Sequence, residues 1–225
     1  MRTNKNRAQQ TELSFSRVSA TNGLPEPFLK WAGGKRQLLP DLMHRVQGLK
    51  GFGRYHEPFV GGGALFFELW RRGLLKNSAY LSDNNPNLIV AYEGLKHEVN
   101  EVIAFLHEHK AHHCKDYYYQ IRASKPESRA ARAARIIYLN RTCFNGLFRE
   151  NSKGAFNVPM GAYRDPRICQ EANLLAVAEA LRDTQVEERS FESVLDHAEP
   201  GDLVYFDPPY HPVSDTANFT AYQKG

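Results

Sequence analysis

Asp207, Pro208, Pro209 and Tyr210 follow a short apolar stretch, Leu203 to Phe206, which reads as a strand. They set an acid and an aromatic ring at its carboxyl end, the end at which open α/β sheets bind ligands. These residue types suit a flat, weakly nucleophilic amine such as the amino group of adenine. Its lone pair is delocalised into the ring, so acceptors for both amine protons are needed to make it available. Asp207 and the Pro208 carbonyl supply such acceptors. The two prolines remove backbone donors and fix the turn, and Tyr210 offers a face on which a base can stack. By itself the run also reads as a stiffened loop after a strand, because four-residue motifs recur by accident.

The elements that must position this run come earlier. Glu57, Pro58, Phe59, Val60, Gly61, Gly62 and Gly63 form a glycine-rich turn between a short strand around Tyr55 and a helix of apolar period, Ala64 to Trp70. Such a turn lets backbone approach a ligand. It has neither the spacing of a dinucleotide fingerprint nor a phosphate-loop Gly-Lys-Ser/Thr, so a small nucleoside fits better than a pyrophosphate. A second strand, Ala79 to Ser82, ends in Asp83, twenty residues past Gly63. At that separation an acid can reach ribose hydroxyls, although a turn or helix-capping role ahead of Pro86 fits the same residue.

A chain of 225 residues with 42% hydrophobic content can bury a core. Cys114, Cys143 and Cys169 form no Cys-x-x-Cys pair, which points away from a disulfide framework or zinc ribbon and toward a reducing, cytoplasmic setting. The first residues are polar and basic, a loose leader to about Gly23, and no apolar run is long enough to span a membrane. The net charge of +4 hides an asymmetry. Residues 1–36 carry 7 Lys and Arg against 2 Asp and Glu, residues 122–167 carry 10 against 3, and the rest carries 12 against 20. A polyanionic partner accounts for that segregation. Arg129, Arg132 and Arg135, spaced by three, also read as an ordinary wet helix face. Between Arg141 and Tyr163, aromatics, amides and bases interleave around glycines, as in an irregular β-hairpin.

Four units follow: a leader (1–23), a cofactor half (24–85), an insert (86–170) and a catalytic half (171–225). Helical periodicity from Leu88 to Leu106 makes the insert mostly helical before its hairpin, and the insert is the candidate for target recognition. Leu174 to Leu181 reads as an amphipathic helix and Gln185 to Glu187 as a strand. His107, His109, His112, His113 and Cys114 lie far from every motif and lack a complete ligand set. A solvated, weakly cationic helix end accounts for them, and no metal is required.

Taken together, several ordered motifs resemble the DNA adenine methylases of the Dam type. They are Lys30 to Lys35, the Pro58 to Gly61 loop, Asp83 to Asn85, and Asn140, Arg141 with Asn145, Gly146 and Leu147. Phe156 to Pro159, the Asp207 run, and Asn218 to Tyr222 complete the set, so the resemblance covers Pro27 to Tyr222. It implies a Rossmann-like α/β methyltransferase sheet with an inserted helical and β-hairpin recognition domain. It also implies S-adenosyl-L-methionine as methyl donor and N6 of adenine in double-stranded DNA as acceptor. Asp207, Pro208 and Tyr210 would form the catalytic centre. Trp31, Lys35, Phe59, Gly61, Gly63, Asp83 and Asp207 would face the cofactor. Lys30, Arg141, Asn145, Leu147, Arg149 and Pro159 would face DNA, with Arg149 matching a position that reads guanine.

Thr142, Cys143 and Phe144 replace a tyrosine-rich stretch of the resembled family, yet GATC is the expected target. Methylation of cytosine N4 would use the same chemistry on a smaller ring. Family members continue beyond the Asn218 to Tyr222 segment, whereas this sequence stops at Gly225. That makes a DNA-binding remnant without turnover the alternative reading, and gives the expectation that the 225-residue chain alone is poorly stable and catalytically silent. A monomer is the expected state.

Overall fold

The computed structural model describes residues 23–31 and 36–208. The readings made on the leader, Lys35, Tyr210 and the Asn218 to Tyr222 segment lie outside those residues. After α1 (Leu39–Gln47) the chain enters β1 (Tyr55–Glu57), α2 (Ala64–Arg71) and β2 (Ala79–Asp83). Four helices follow, α3 (Pro86–His97), α4 (Val99–Ala111), α5 (Lys115–Ala123) and α6 (Arg129–Thr142). Beyond the hairpin segment come α7 (Glu171–Leu181), β3 (Thr184–Glu188) and β4 (Leu203–Val204).

All four strands are parallel, in the order β3-β2-β1-β4, with Tyr55 opposite both Ala79 and Leu203. The chain winds outward from β1 through β2 to β3, then crosses back to the other side of β1. The winding reverses between β1 and β4, and the carboxyl ends beside such a reversal are the general ligand position in open α/β sheets. Asp202 secures the entry of β4: its carboxylate accepts from the Arg54 backbone N–H at 2.7 Å and from Arg54 Nε at 3.0 Å, and lies 3.0 Å from His56 Nε2. Strand β4 is shorter than Leu203 to Phe206, and among the described residues its one strand neighbour is β1, leaving Phe206 about half exposed.

Local chemistry accounts for the helix starts. Asn85 caps α3 by accepting from the N–H groups of Asn87 and Leu88, with Pro86 in the first helical turn where its missing donor costs nothing. Ser128 caps α6 by accepting from Ala131 N–H. Helix α6 buries nine of its fourteen residues and crosses α3 at Gly94, where a Cβ would come within 2.4 Å of the Ala133 methyl. The buried apolar side chains of sheet, helices and hairpin base, from Phe28 to Val186, form one hydrophobic cluster.

The hairpin is irregular, as its composition suggests. Its stem is two isolated antiparallel bridges, Cys143 with Met160 and Glu150 with Phe156. Positive φ at Asn145 (54°) and Gly146 (64°) turns the chain out of register between them. Tyr118 fastens the hairpin to α5 by donating its hydroxyl to the Val158 carbonyl at 3.0 Å.

Two surface readings change. Arg129, though exposed, is paired with Glu93 and Glu98, and Arg135 donates to the Ile121 and Arg122 carbonyls at the end of α5, so the three spaced arginines do not make one uniformly solvated face. The histidine cluster is not a solvated cationic end throughout. His109 is buried beside Tyr117 and Tyr138, its Nδ1 2.8 Å from the Tyr117 hydroxyl, and burial lowers its pKa, while His113 meets Tyr138 edge-on. The rings of α5 and α6 desolvate the imidazoles, an effect invisible to spacing alone. Among the described residues no group of three or more His, Cys, Asp or Glu could hold a metal ion, and no helix is long and apolar enough to cross a membrane.

Candidate active site

Three acids stand at the carboxyl ends of adjacent strands: Glu57 closes β1, Asp83 closes β2, and Asp207 lies just past β4. Glu57 is fully enclosed. Burial pushes its carboxyl up to about 8, against the opposing pull of the Tyr55 hydroxyl, which donates to Oε2 at 2.8 Å; the charge of Asp207 pushes it further up. Burial thus favours the protonated form of the Glu57 carboxyl at this strand end. Asp83 is also raised by burial, offset by backbone N–H donors from Asn85 at 3.1 Å and Gly61 at 3.3 Å. It thus acts both as a turn residue and as the brace of the glycine turn. The Asn84 backbone N–H adds to these donors, so one of the four carboxylate lone-pair sites remains for a ligand hydroxyl.

The glycine turn is set by contact on both sides. Gly61 has φ +45°, and a Cβ there would lie 2.8 Å from Trp31 Cδ1. Gly63 has φ +65°, and a Cβ there would meet the Tyr92 hydroxyl at 2.7 Å. Tyr92, reaching up from α3, donates to the Gly61 carbonyl at 3.1 Å. A side chain at either position would displace Trp31 above or Tyr92 below. Phe59 packs its ring on Phe191 at 5.4 Å and near Phe206 at 6.4 Å, giving an aromatic surface beside the turn.

A second group of residues meets this one at Trp31. Asn140 is buried in α6, and its side chain imitates a strand neighbour for Lys30: Oδ1 accepts from the Lys30 N–H at 2.7 Å, and Nδ2 donates to the Lys30 carbonyl at 2.8 Å and to the Gly146 carbonyl at 3.0 Å. Arg141 donates through Nε and Nη2 to the Phe28 carbonyl at 3.0 and 2.6 Å. The Asn-Arg pair therefore clips the segment before Trp31 to the end of α6, and two of the Arg141 donors are committed to that clip. The Lys30 side chain runs over Gly146, its ammonium 4.3 Å from the Tyr163 ring centre and 3.2 Å from that hydroxyl.

Asn145, Arg149 and Pro159 are exposed on the hairpin, and Leu147 is half-buried. Arg149 Nε donates to Asn157 Oδ1 at 2.8 Å, a contact that holds the guanidinium along the hairpin.

The geometry brings Trp31, Gly61, Gly63 and Asp83 together, with Phe59 and Asp207 at the neighbouring strand ends. Lys30, Asn145, Leu147, Arg149 and Pro159 fall on or beside the hairpin. Sequence reasoning missed the enclosed Glu57, the brace Tyr92, the ring partners Phe148 and Phe191, and Tyr163 against Lys30. Glu57 stood in the quoted turn, yet its enclosure depends on α2 and β4 closing over it. Tyr92 gave only a periodic apolar signal.

The resident chemistry fits a nucleoside sulfonium donor. A turn with no room for side chains would let such a ligand approach the backbone, Asp83 could accept from its hydroxyls, and Asp207 stands at the neighbouring strand end.

Comparison with known proteins agrees. The sequence model of the D12 class N6 adenine-specific DNA methyltransferases matches residues 31–225. The Type II methyltransferase M1.LlaDCHI of Lactococcus lactis subsp. cremoris is 41% identical over 204 residues, covering 87% of this chain and 69% of the relative. Type II methyltransferase M.MjaIII of Methanocaldococcus jannaschii is 38% identical over 217 residues, covering 88% and 74%. DNA adenine methylase of Escherichia coli K12 is 39% identical over 200 residues, covering 87% and 68%. With the family's sequence model spanning residues 31–225 and these relatives at 38–41% identity, the chain belongs to the D12 class N6 adenine-specific DNA methyltransferases.

Proposed function

We propose that this enzyme moves a methyl group from S-adenosylmethionine to N6 of adenine within GATC in duplex DNA. The observation that carries the reading is the meeting of Glu57, Asp83, Asp207 and the glycine turn at the reversal between β1 and β4, beside a basic hairpin. S-adenosylmethionine, when bound, supplies an electrophilic methyl on a sulfonium. The protein's part is to place and orient. Asp83 accepts from ribose hydroxyls, Trp31 and the backbone of Gly61 to Gly63 form one wall, and the Phe59 and Phe191 rings offer a face to the purine.

The target adenine must leave the duplex to reach these strand ends, at a cost of a few kcal/mol. Stacking on an aromatic ring returns roughly 1–3 kcal/mol per base. Tyr210 is that ring in this reading. Asp207 and the Pro208 carbonyl accept from the two amine protons, which directs the nitrogen lone pair at the methyl. Asp207 acts as an acceptor and does not remove a proton before attack. Arg149 reads a guanine edge, Asn145, Leu147 and Pro159 line the neighbouring bases, and Lys30 reaches the duplex from its slot over Gly146.

The test is methyl incorporation from labelled S-adenosylmethionine into unmethylated duplexes containing GATC, or GATC altered one base at a time, followed by hydrolysis to nucleosides. Label on N6-methyladenine confined to GATC is the expected result. Label on cytosine, or incorporation blind to sequence, would overturn the assignment.

A further inference from the structure

The hairpin and the glycine turn share a wall. The Trp31 ring lies against Gly61, and its Cβ lies beside Gly62. The ring also meets that of Phe148, with centres 5.2 Å apart and planes tilted by 31°. Phe148 in turn packs edge-on against Phe156 across the hairpin at 5.7 Å. A continuous line of rings thus runs from the turn into the hairpin, and Phe148 sits between Leu147 and Arg149 in sequence. A second tie runs parallel to it: Asn87 Nδ2, on the first turn of α3, donates to Glu150 Oε1 at 2.8 Å. Asn85, which caps the same helix, also donates its backbone N–H to Asp83. Both flanks of the Leu147 to Glu150 stretch are therefore anchored on elements that build the proposed cofactor pocket.

We propose that Phe148 is a positioning residue that links target binding to cofactor binding, through the Trp31 ring it shares with the glycine turn. This rests on the functional reading above. A ligand that fixes Trp31 also fixes the ring against which Arg149's neighbour packs, and DNA that fixes the hairpin restrains Trp31 over Gly61. The ordering of the shared ring is met once for two ligands, which gives positive coupling. Coupling between sites is reciprocal and typically 5- to 150-fold, so about fivefold or more is expected here, equal in both directions.

The experiment measures dissociation constants of the full chain for S-adenosylmethionine with and without a saturating GATC duplex, and for the duplex with and without a non-reactive cofactor analogue. Phe148→Ala should bring the coupling factor close to one while each ligand alone binds within about threefold of wild type. Phe148→Leu keeps apolar volume without a ring and serves if the alanine variant folds poorly. The chain has two tryptophans, so in a Trp70→Phe background Trp31 reports by fluorescence. DNA alone should shift its emission, and the added Phe148 substitution should abolish that shift. A wild-type coupling factor of one, or the same factor and the same shift in the Phe148 variants, would overturn the proposal. Failure of the wild type to bind the cofactor at all would instead overturn the functional reading, a separate outcome.

Discussion

The carboxyl ends of the strands and the hairpin around residues 143–163 touch at Trp31, yet they are built by opposite means. At the strand ends Glu57 and Asp83 are buried, Gly61 and Gly63 leave no room for a Cβ, and each polar atom has a designated donor. On the hairpin Asn145, Arg149 and Pro159 are exposed, and two isolated bridges hold the stem. In the proposed function the first region holds a small ligand and the second meets DNA, and the exposed side chains of the hairpin stand on a base fastened by Asn140, Tyr118 and Phe148. Precision at the strand ends comes from burial. On the hairpin it comes from anchoring.

That contrast can be broken by substitution. The largest effect is expected at Asp207: Asp207→Ala should lower kcat by about 10²–10³, the scale for losing one preorganised polar contact to a transition state, with DNA affinity kept. Single-turnover methylation at saturating DNA and cofactor measures it. A loss confined to KM would move Asp207 out of the reaction centre.

Next is a pH effect specific to the buried region. The Glu57 carboxyl stands at about 8 in the folded chain, above its ordinary value of 4.5. Above pH 4.5 the unfolded chain releases this proton while the folded chain keeps it, so the stability linked to Glu57 falls as pH rises from about 5 to about 8. Its slope is up to about 1.4 kcal/mol per pH unit. Glu57→Gln removes this loss, and chemical denaturation should show the variant gaining on wild type from pH 5 to pH 8. A constant difference would mean Glu57 is ionised in the fold.

Asp83→Ala should weaken S-adenosylmethionine binding about tenfold, as expected for a hydrogen bond to a charged group worth roughly 1.5–3 kcal/mol. Calorimetry against unchanged thermal unfolding separates lost ligand contact from a slackened glycine turn. On the hairpin, Arg149→Ala should cost about 1–3 kcal/mol of discrimination at one base pair. Smallest of all, Arg132→Ala should weaken every duplex alike and reduce the salt slope by about one. Binding to matched and singly altered duplexes at several salt concentrations distinguishes the two, and uniform losses for Arg149→Ala would place it on phosphate.

The strand-end region was largely legible in the sequence. Gly61, Gly63 and Asp83 are read from residue type and separation, because backbone conformation and strand ends are local matters. Phe59 and Trp31 are named by the motif. What could not be read is who braces them: Tyr92 comes from α3 and Phe148 from the hairpin, and burial, not type, favours the protonated form of Glu57. The histidines of α4 misled for the same reason, since their spacing carries no trace of the tyrosine rings packed on them. Arg129 and Arg135 look identical to Arg132 in sequence, and only the packing of α6 against its neighbours shows that Arg129 pairs with Glu93 and Glu98 and that Arg135 closes the end of α5.

The amide of Asn140 also constrains the order in which this molecule can assemble. Its bonds to Lys30 join residues 110 apart, and Arg141 joins Phe28 across 113. Contacts so distant in sequence form late, after the entropy of closing the loop is met. The first segment can already pack on α3, where Phe28 meets Tyr92 edge-on at 4.9 Å, but the clips from Asn140 and Arg141 that hold it beside the hairpin base must wait until α6 has been made.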